Sequence, residues 1–187
     1  MELIATGNIE SDLENKYVLL DTDFLGTIYK DKELLTGFLT LTRKSNLMLD
    51  PMVVFEFLRD VFLPTEAFAK ENFVNDELFS PTNNYTTVFT KIQNNALLLS
   101  KIYAHNGRSK GVSTTDLYLA ARLMTLPSNS VLITGNKKDY PLCVFSLLSV
   151  INVENRSDES IGCYSILKLD QAKLQKAHQK LLKIVRR

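Results

Sequence analysis

Short apolar runs that favour strands alternate along this chain with longer stretches of helical periodicity. The runs typical of strands are residues 17–20, 47–49, 131–134, 147–153 and 161–169. The stretches with the spacing of helices are residues 31–42, 52–63, about 85–104, 113–126 and those from Asp170 onward. Strands that alternate with helices favour an α/β fold. We expect three layers, α/β/α, around a central parallel sheet.

The chain shows no internal repeat, low-complexity linker or domain boundary, so we predict one domain over residues 1–187. Its composition, 45% apolar, suffices for a sizeable core, which we expect at about residues 17–153. Residues 1–15 are polar, and we expect them to form a frayed N-terminus. Residues 161–187 should add a strand and a basic amphipathic helix to the core.

The sequence carries no sign of export or of membrane insertion. No apolar run is long enough to cross a bilayer, and no basic-then-apolar leader opens the chain. The two cysteines, Cys143 and Cys163, are too few to staple a small secreted scaffold and indicate a reducing compartment. We therefore predict a cytoplasmic protein that does not bind membranes.

Reactive groups are few, and their absence disfavours several classes of enzyme. The only histidines are His105 and His178, and no HExxH, CxxC, GxSxG or GxxxxGK[ST] motif occurs. Zinc proteases, elbow-type serine hydrolases and P-loop nucleotide hydrolases are therefore poor candidates. Carboxylates are plentiful, so any catalysis is expected to depend on them.

Positive charge is concentrated at the end of the chain. The net charge is only +1, yet the last twenty residues carry seven basic side chains and one acid. Helical spacing there places Leu174, Leu181 and Val185 on one face, with the lysines largely off it. Such a helix either docks on the core with a solvated basic rim or also contacts polynucleotide phosphates.

Two acids directly follow predicted strands. Asp21 ends the run at residues 17–20, and Asp139 comes shortly after the run at residues 131–134. Because ligands of open α/β sheets bind beyond the carboxyl ends of the strands, both carboxylates can reach one crevice. Taken alone, Asp21 could equally cap a helix, and Asp139 could be a turn acid beside Lys137 and Lys138.

Two further acids lie on predicted helices. Glu56 stands in a helix that is apolar almost all round, where a carboxylate is rarely buried without a partner. Arg59, three residues on, could be that partner, and a metal ion or its waters could be another. Asp116 matches the capping-box pattern with Ser113, and the same position points an acid at whatever binds over the helix N-terminus.

Together these residues resemble the motifs of the PIN domain, a PilT N-terminus-like family of metal-dependent nucleases. The segments are Leu-Leu-Asp21-Thr-Asp-Phe-Leu, Val-Val-Phe-Glu56-Phe-Leu, Thr-Asp116-Leu-Tyr-Leu-Ala-Ala-Arg-Leu and Leu-Ile-Thr-Gly-Asn136-Lys-Lys-Asp139-Tyr. The resemblance implies an endoribonuclease with a PIN-like fold that acts on single-stranded or structured RNA. It matches Asp21, Glu56, Asp116 and Asp139 to the family's acidic quartet, and Thr134 and Asn136 to its polar helpers. Asp23 stands where asparagine is common.

A shared divalent cation would explain why these acids converge. Two carboxylates about 4 Å apart repel by on the order of 4 kcal/mol at an effective dielectric constant near 20. Mg²⁺ or Mn²⁺ prefers oxygen ligands and activates water for attack on phosphorus. We expect Asp21 and Asp139 to be direct ligands, Asp116 to complete the shell, and Glu56 to orient a water or a second ion. The products would carry 5′-phosphate and 3′-hydroxyl ends.

Basic groups should flank such an acidic pocket, because RNA is a polyanion. The candidates nearest in sequence are Arg108, Lys110, Lys137 and Lys138, although each could be an ordinary surface cation. Aromatic side chains could stack on bases. Most of Phe55, Phe57, Phe62 and Phe89, however, are expected in the core.

Other functions remain open at this point. Asp21-Thr22-Asp23 followed by Gly26-Thr27-Ile28 resembles the nucleophile motif of haloacid-dehalogenase-type phosphatases, although the spacing differs and no later paired-aspartate motif occurs. A PIN-like module that binds RNA or a protein without cleaving it is a third interpretation. A toxin role with a cognate inhibitor protein, and a homodimer, also stay open.

Overall fold

The computed structural model describes residues 2–6, 8–59, 61, 63–82, 86–106, 111–155 and 160–185. Within them the chain is an α/β protein with one seven-stranded sheet and eight α-helices. The strands are β1 Glu2–Thr6, β2 Tyr17–Leu20, β3 Asn46–Leu49, β4 Ser80–Pro81, β5 Ser130–Thr134, β6 Phe145–Asn155 and β7 Ser160–Leu169. The helices are α1 Ile9–Leu13, α2 Thr22–Lys30, α3 Lys32–Leu41, α4 Pro51–Arg59, α5 Pro64–Val74, α6 Thr86–His105, α7 Thr114–Leu123 and α8 Gln171–Val185.

The sheet is mixed, so the prediction of a parallel sheet is wrong for half of it. The strand order is β1-β6-β7-β5-β2-β3-β4. The pairs β5–β2, β2–β3 and β3–β4 are parallel, whereas the pairs β1–β6, β6–β7 and β7–β5 are antiparallel. Only four residues separate β6 from β7 along the chain, and so short a connection cannot make a parallel crossover.

All five predicted strands are present, with small changes in their bounds. The predicted helix at residues 52–63 ends earlier, because α4 stops at Arg59. Pro64 was expected to stop that helix and instead begins α5, since its fixed φ and missing N–H suit the first helical turn. The sequence also gave no sign of β4, which extends the sheet by pairing with β3.

The expectation of a frayed N-terminus is wrong. Strand β1 pairs antiparallel with β6 over its whole length. Helix α1 follows and buries Ile9 and Leu13 in the core. The polar residues that suggested fraying lie between these apolar anchors, and the strand depends on a partner about 150 residues away.

Helix α8 docks on the protein, as one of the two interpretations of the basic tail requires. Leu174 and Ala177 are buried, and the helix contacts α6. Lys176 and Lys180 are exposed, while Lys173 donates hydrogen bonds to the Phe145 carbonyl and the Ser146 hydroxyl. Deletion of the tail would therefore remove core residues as well as charge, so its contact with phosphates is better tested by substitution of exposed lysines.

No helix in the described part of the chain is long and apolar enough to cross a membrane. Cys143 and Cys163 are both free thiols. The parallel strands β2 and β5 lie side by side in the sheet, and their side chains are almost all buried. The carboxyl ends of these two strands are where the predicted acids lie.

Candidate active site

Asp21 connects the two buried strands at their carboxyl ends. Its backbone N–H donates to the Ile133 carbonyl on β5, which continues the ladder one residue past β2. One carboxylate oxygen accepts the Thr22 N–H at 2.7 Å and so caps α2, as the simplest interpretation predicted. The other oxygen accepts the Thr134 hydroxyl at 2.6 Å. The buried carboxylate is thus held at a defined place between two strands.

Glu56 reaches the same region from α4. Its Oε2 accepts a hydrogen bond from the Thr22 hydroxyl at 2.7 Å. Its Oε1 lies 3.9 Å from Arg59 Nη2, which is too long for a hydrogen bond. The prediction that the whole helix is buried is wrong, because only Val53 and Phe57 are buried, and a quarter of the Glu56 side chain (25%) is exposed.

The aromatic side chains near α4 also differ from expectation. Phe57 is buried, but Phe55 is 68% exposed and Phe89 is 41% exposed. The apolar composition of α4 therefore led to a prediction of more buried surface than the helix has. Phe62 lies outside the described residues.

Asp116 is fixed by both ends of its carboxylate. Ser113 caps α7 by accepting the Asp116 N–H, and its hydroxyl donates back to Asp116 Oδ2 at 2.6 Å. The buried Tyr140 hydroxyl donates to Asp116 Oδ1 at 3.1 Å. The predicted capping box of Ser113 and Asp116 is therefore present. The buried Asp116 carboxylate also faces the cleft described below.

Asp139 ends a short 3-10 helix, Lys137–Asp139, that follows β5. The Asn136 side-chain amide donates to Asp139 Oδ2. The Asn136 backbone N–H donates to Thr134 Oγ1 at 2.9 Å. Burial raises the pKa of the Asp139 carboxyl, and the neighbouring Asp116 carboxyl raises it further by its charge and by a hydrogen bond. The two carboxyls therefore stand next to each other.

Asp23 ties α2 to the loop after β5. Its Oδ1 accepts the Phe24 N–H at 2.6 Å, and its Oδ2 accepts the Gly135 N–H at 2.8 Å. A Cβ on residue 135 would lie 2.7 Å from Asp23 Oδ2 and 3.3 Å from the ring of Tyr164. Only glycine fits between these two side chains. Sequence reasoning missed Gly135 and Tyr164, because nothing local marks a contact between residues so far apart.

These groups open into one cleft of about 350 Å³. Its lining residues are Asp21, Thr22, Asp23, Glu56, Arg59, Ser113, Asp116 and Asn136. Asp139 stands just behind the cleft, next to Asp116. The structure therefore brings together all four predicted acids, which come from four separate segments of the chain.

None of the four predicted cationic residues is among those that line the cleft in the described part of the chain. Lys137 and Lys138 are exposed beside Asp139 but do not line the cleft. Arg108 and Lys110 lie outside the described residues. Arg59, which the sequence offered only as a partner for Glu56, is the basic side chain that lines the cleft.

The cleft gathers carboxyls whose pKa values are raised by burial and by one another. Burial, followed by the charge of Asp23, raises the pKa of Asp21 to about 7, and the Thr134 hydrogen bond only partly opposes this. Burial also raises the pKa of the Asp23 carboxyl, although the residue as a whole is exposed. Carboxyls so perturbed by desolvation and by like charge are typical of functional sites.

The donor set fits a hard divalent cation in chemistry, but its present arrangement is not a finished metal site. All donors are oxygens, which is what Mg²⁺ and Mn²⁺ prefer. Within the described part of the chain, however, no group of three His, Cys, Asp or Glu side chains is arranged to hold an ion. Several carboxylates accept local N–H and hydroxyl groups. An oxygen that accepts one hydrogen bond keeps a second lone pair, so these contacts would orient the carboxylates without preventing them from binding an ion.

The free energy of unfolding of the metal-free protein should fall as the pH rises from about 4 to about 7. Asp21 keeps its proton up to about pH 7 in the native state, whereas the unfolded chain releases it near 3.8. The native state then binds more protons than the unfolded state, and stability decreases with pH over that window, by on the order of 4 kcal/mol at most. Urea unfolding in EDTA between pH 4 and pH 8 measures this slope.

The matched variants for this measurement are Asp21→Asn and Glu33→Gln. Asp21→Asn removes the titrating group and should flatten the slope. Glu33 is exposed on α3 and does not line the cleft, so Glu33→Gln should leave the slope as it is. Equal slopes in all three proteins would contradict the raised pKa.

No protein-family model, no curated protein and no solved structure matches this chain. The fold and the cleft therefore come with no assigned family. The function has to be argued from the side chains that the structure brings together.

Proposed function

We propose that this protein is a metal-dependent endoribonuclease of the PIN type, which hydrolyses RNA phosphodiester bonds at the acidic cleft. The observation that carries the proposal is the meeting of carboxyls from four chain segments at the carboxyl ends of β2 and β5, with the pKa values of Asp21 and Asp139 raised by burial and by like charge. A structural role does not account for this, because the arrangement costs stability. The free thiols of Cys143 and Cys163 support a reducing, cytoplasmic setting.

The topology supports a PIN-like fold in three layers. The chain passes from β2 through β3 to β4 in one direction across the sheet, and then returns to β5. Since crossovers between parallel strands are almost always right-handed, the helices of the outward path and those of the return path belong on opposite faces. The return places β5 beside β2, and a ligand site is expected at such a switch of direction.

The side chains divide the work of hydrolysis among themselves. Asp21, Asp116 and Asp139 would hold a Mg²⁺ or Mn²⁺ ion, and Thr134 and Asn136 would keep two of these carboxylates in place. When bound, the ion would supply Lewis acidity toward the phosphoryl oxygens and lower the pKa of a water. Glu56, the most exposed acid of the quartet, would orient the attacking water and accept its proton. The P–O3′ bond breaks, and the leaving 3′-oxygen would take a proton from solvent water, which gives 5′-phosphate and 3′-hydroxyl ends.

Basic side chains beside the acids support a polyanionic substrate. Arg59 lines the cleft itself. A cavity of about 380 Å³ shares Thr22, Asp23 and Glu56 with the cleft and is lined further on by Lys30 and by the ion pair of Lys70 with Glu66. Arg59 and Lys30, with the exposed Lys137 and Lys138, would attract the phosphates on either side of the scissile bond.

A second candidate is a PIN-like module that binds RNA without cleaving it. The observation in its favour is that the described carboxylates are not arranged to hold a metal ion as they stand. The raised pKa of Asp21 argues the other way, because a module that only binds a polyanion gains nothing from a buried, repulsive cluster of acids.

Incubation of end-labelled RNA with the protein in Mg²⁺, Mn²⁺ or EDTA tests the proposal. We expect cleavage in either metal, none in EDTA, and 5′-phosphate ends on the downstream fragments. Retention of RNA in a gel shift without cleavage in either metal would favour the binding module. Turnover of small phosphomonoesters without RNA cleavage would favour the phosphatase instead.

A further inference from the structure

A third cavity adjoins the acidic cleft. This cavity, of about 420 Å³, is lined by Asp23, Gly135, Asn136, Gly162, Cys163 and Tyr164. It shares Asp23 and Asn136 with the cleft. The cavity is therefore a groove beside the carboxylates, with an aromatic ring in its lining.

The ring of Tyr164 is held in a fixed position in this groove. Its hydroxyl lies 2.6 Å from the Thr27 hydroxyl on α2. Phe24 packs edge-on against it, with ring centroids 4.9 Å apart and an interplanar angle of 65°. The side chain is only half-buried and lines the cavity. A rigid, partly exposed ring is a ready stacking surface, because little side-chain entropy is lost when a ligand covers it.

Glycines keep side chains away from both edges of that ring. A Cβ on Gly162 would lie 3.1 Å from the ring, and one on Gly135 would lie 3.3 Å from it. The backbone at these two positions therefore approaches the ring closely, and a larger residue at either would crowd it. The room for a flat group of the size of a nucleobase is the cavity of about 420 Å³ that the ring lines.

We propose that Tyr164 stacks an unpaired base beside the scissile phosphate, so that the substrate of this site is single-stranded RNA. The inference rests on the proposed function and narrows it, since a PIN-like nuclease could also act on structured RNA. A base inside a duplex already has both faces stacked and cannot cover Tyr164. A base of an open strand can do so whatever its identity, because every base has a π-face.

Binding measurements with Tyr164 variants test the role of the ring. All variants carry Asp116→Asn as well, so that fluorescent single-stranded RNA stays intact in Mg²⁺. Tyr164→Ala should weaken binding by about five-fold to a hundred-fold, the range that follows from the loss of one stacked base. Tyr164→Phe keeps the ring and loses only the Thr27 hydrogen bond, so its affinity should stay within about two-fold of the parent. Equal affinity in the Ala and Phe variants would overturn the proposal.

A footprint on the unsubstituted ring avoids the risk that Tyr164→Ala disturbs the packing of Phe24. Tyr164 is half-buried and lines the cavity, whereas Tyr17, also half-buried, lies at the start of β2 outside it. Single-stranded RNA should slow the nitration of Tyr164 by tetranitromethane and leave that of Tyr17 unchanged, as peptide mass spectrometry can measure. A duplex of the same sequence should protect neither ring, and equal protection by duplex and single strand would overturn the proposal.

These outcomes separate the inference from the function on which it rests. RNA cleavage by the unmodified protein, combined with ring-independent binding, would refute the stacking and leave the nuclease. Binding that depends on the ring, with no cleavage in any metal, would refute the nuclease and leave a module that reads single strands.

Discussion

Asp21→Asn is expected to lower the rate of RNA cleavage by on the order of a thousand-fold without lowering the stability of the protein. The loss follows from removal of a charge that holds and orients the ion, an effect comparable with deletion of a central electrostatic contact in other enzymes. The protein should still fold, because the amide oxygen of asparagine can accept the Thr22 N–H while its NH₂ group donates to Thr134 Oγ1, which in the parent donates to the carboxylate. Single-turnover cleavage and urea unfolding at pH 8 measure the two effects.

Above pH 7, this variant should in fact be more stable than the parent protein. The raised pKa of Asp21 means that ionisation of this buried carboxyl destabilises the native state, and a neutral amide removes that cost. Loss of activity together with a gain in stability is the signature of a residue kept for function. A variant that merely unfolds would lose both.

Asp170→Asn is the matched control. Asp170 also caps a helix, by accepting the Lys173 N–H, and it lines a separate cavity near the start of β5, at the other end of the sheet. The backbone hydrogen bond from Lys173 holds its pKa below the usual range, so this carboxylate favours the native state where Asp21 opposes it. Asp170→Asn should cleave RNA at the parental rate and be slightly less stable. A comparable loss of cleavage in both variants would contradict the role given to Asp21.

The parts of the site that sequence predicted are those governed by local rules. Asp21 and Thr134 end apolar runs whose length and composition identify them as strands, and strand ends gather at one edge of a parallel sheet. Asp116 follows a serine at the spacing of a capping box, which fixes it in the first turn of α7. For these residues a few neighbouring letters determine both the element and the position in it.

The parts that sequence missed depend on partners far away in the chain. Strand β1 is short and stands in a segment rich in polar residues, and it is ordered because β6 pairs with it. Gly135 looks like an ordinary turn glycine until the carboxylate of Asp23 and the ring of Tyr164 close on it from two other segments. The exposure of Glu56 could not be read from α4, since the apolar residues around it do not all find a core to pack against.

Asp50, a second acid at a strand end, also has a distant partner that the sequence does not reveal. Its substitution is expected to have the largest effect on stability. Asp50 follows β3 as Asp21 follows β2. In the structure its Oδ2 lies 2.6 Å from Nε of Arg122, which is 72 residues away, and the two side chains are only 4% and 3% exposed. Thr82 and the Met52 N–H donate to the same carboxylate.

Asp50→Ala is therefore expected to lower the free energy of unfolding by about 3–5 kcal/mol, the range for loss of one partner of a buried ion pair. The variant leaves the guanidinium of Arg122 in the core without its carboxylate, and it strands the two donors that Asp50 satisfies. Urea unfolding at pH 7 measures the loss. RNA cleavage by the fraction that remains folded should be unchanged, since Asp50 does not line the cleft.

The double variant Asp50→Leu with Arg122→Met separates the charge from the packing. It removes both ions and keeps apolar volume, so it should be clearly more stable than Asp50→Ala, although Thr82 and the Met52 N–H still lose their acceptor. If the double variant is as unstable as Asp50→Ala, the stranded charge is not the cause of the loss. If Asp50→Ala is as stable as the parent, the pair does not hold β3 to α7. The structure indicates that Asp50 stabilises the fold, whereas Asp21 is kept for function although it lowers stability. That result would contradict this difference between the two acids.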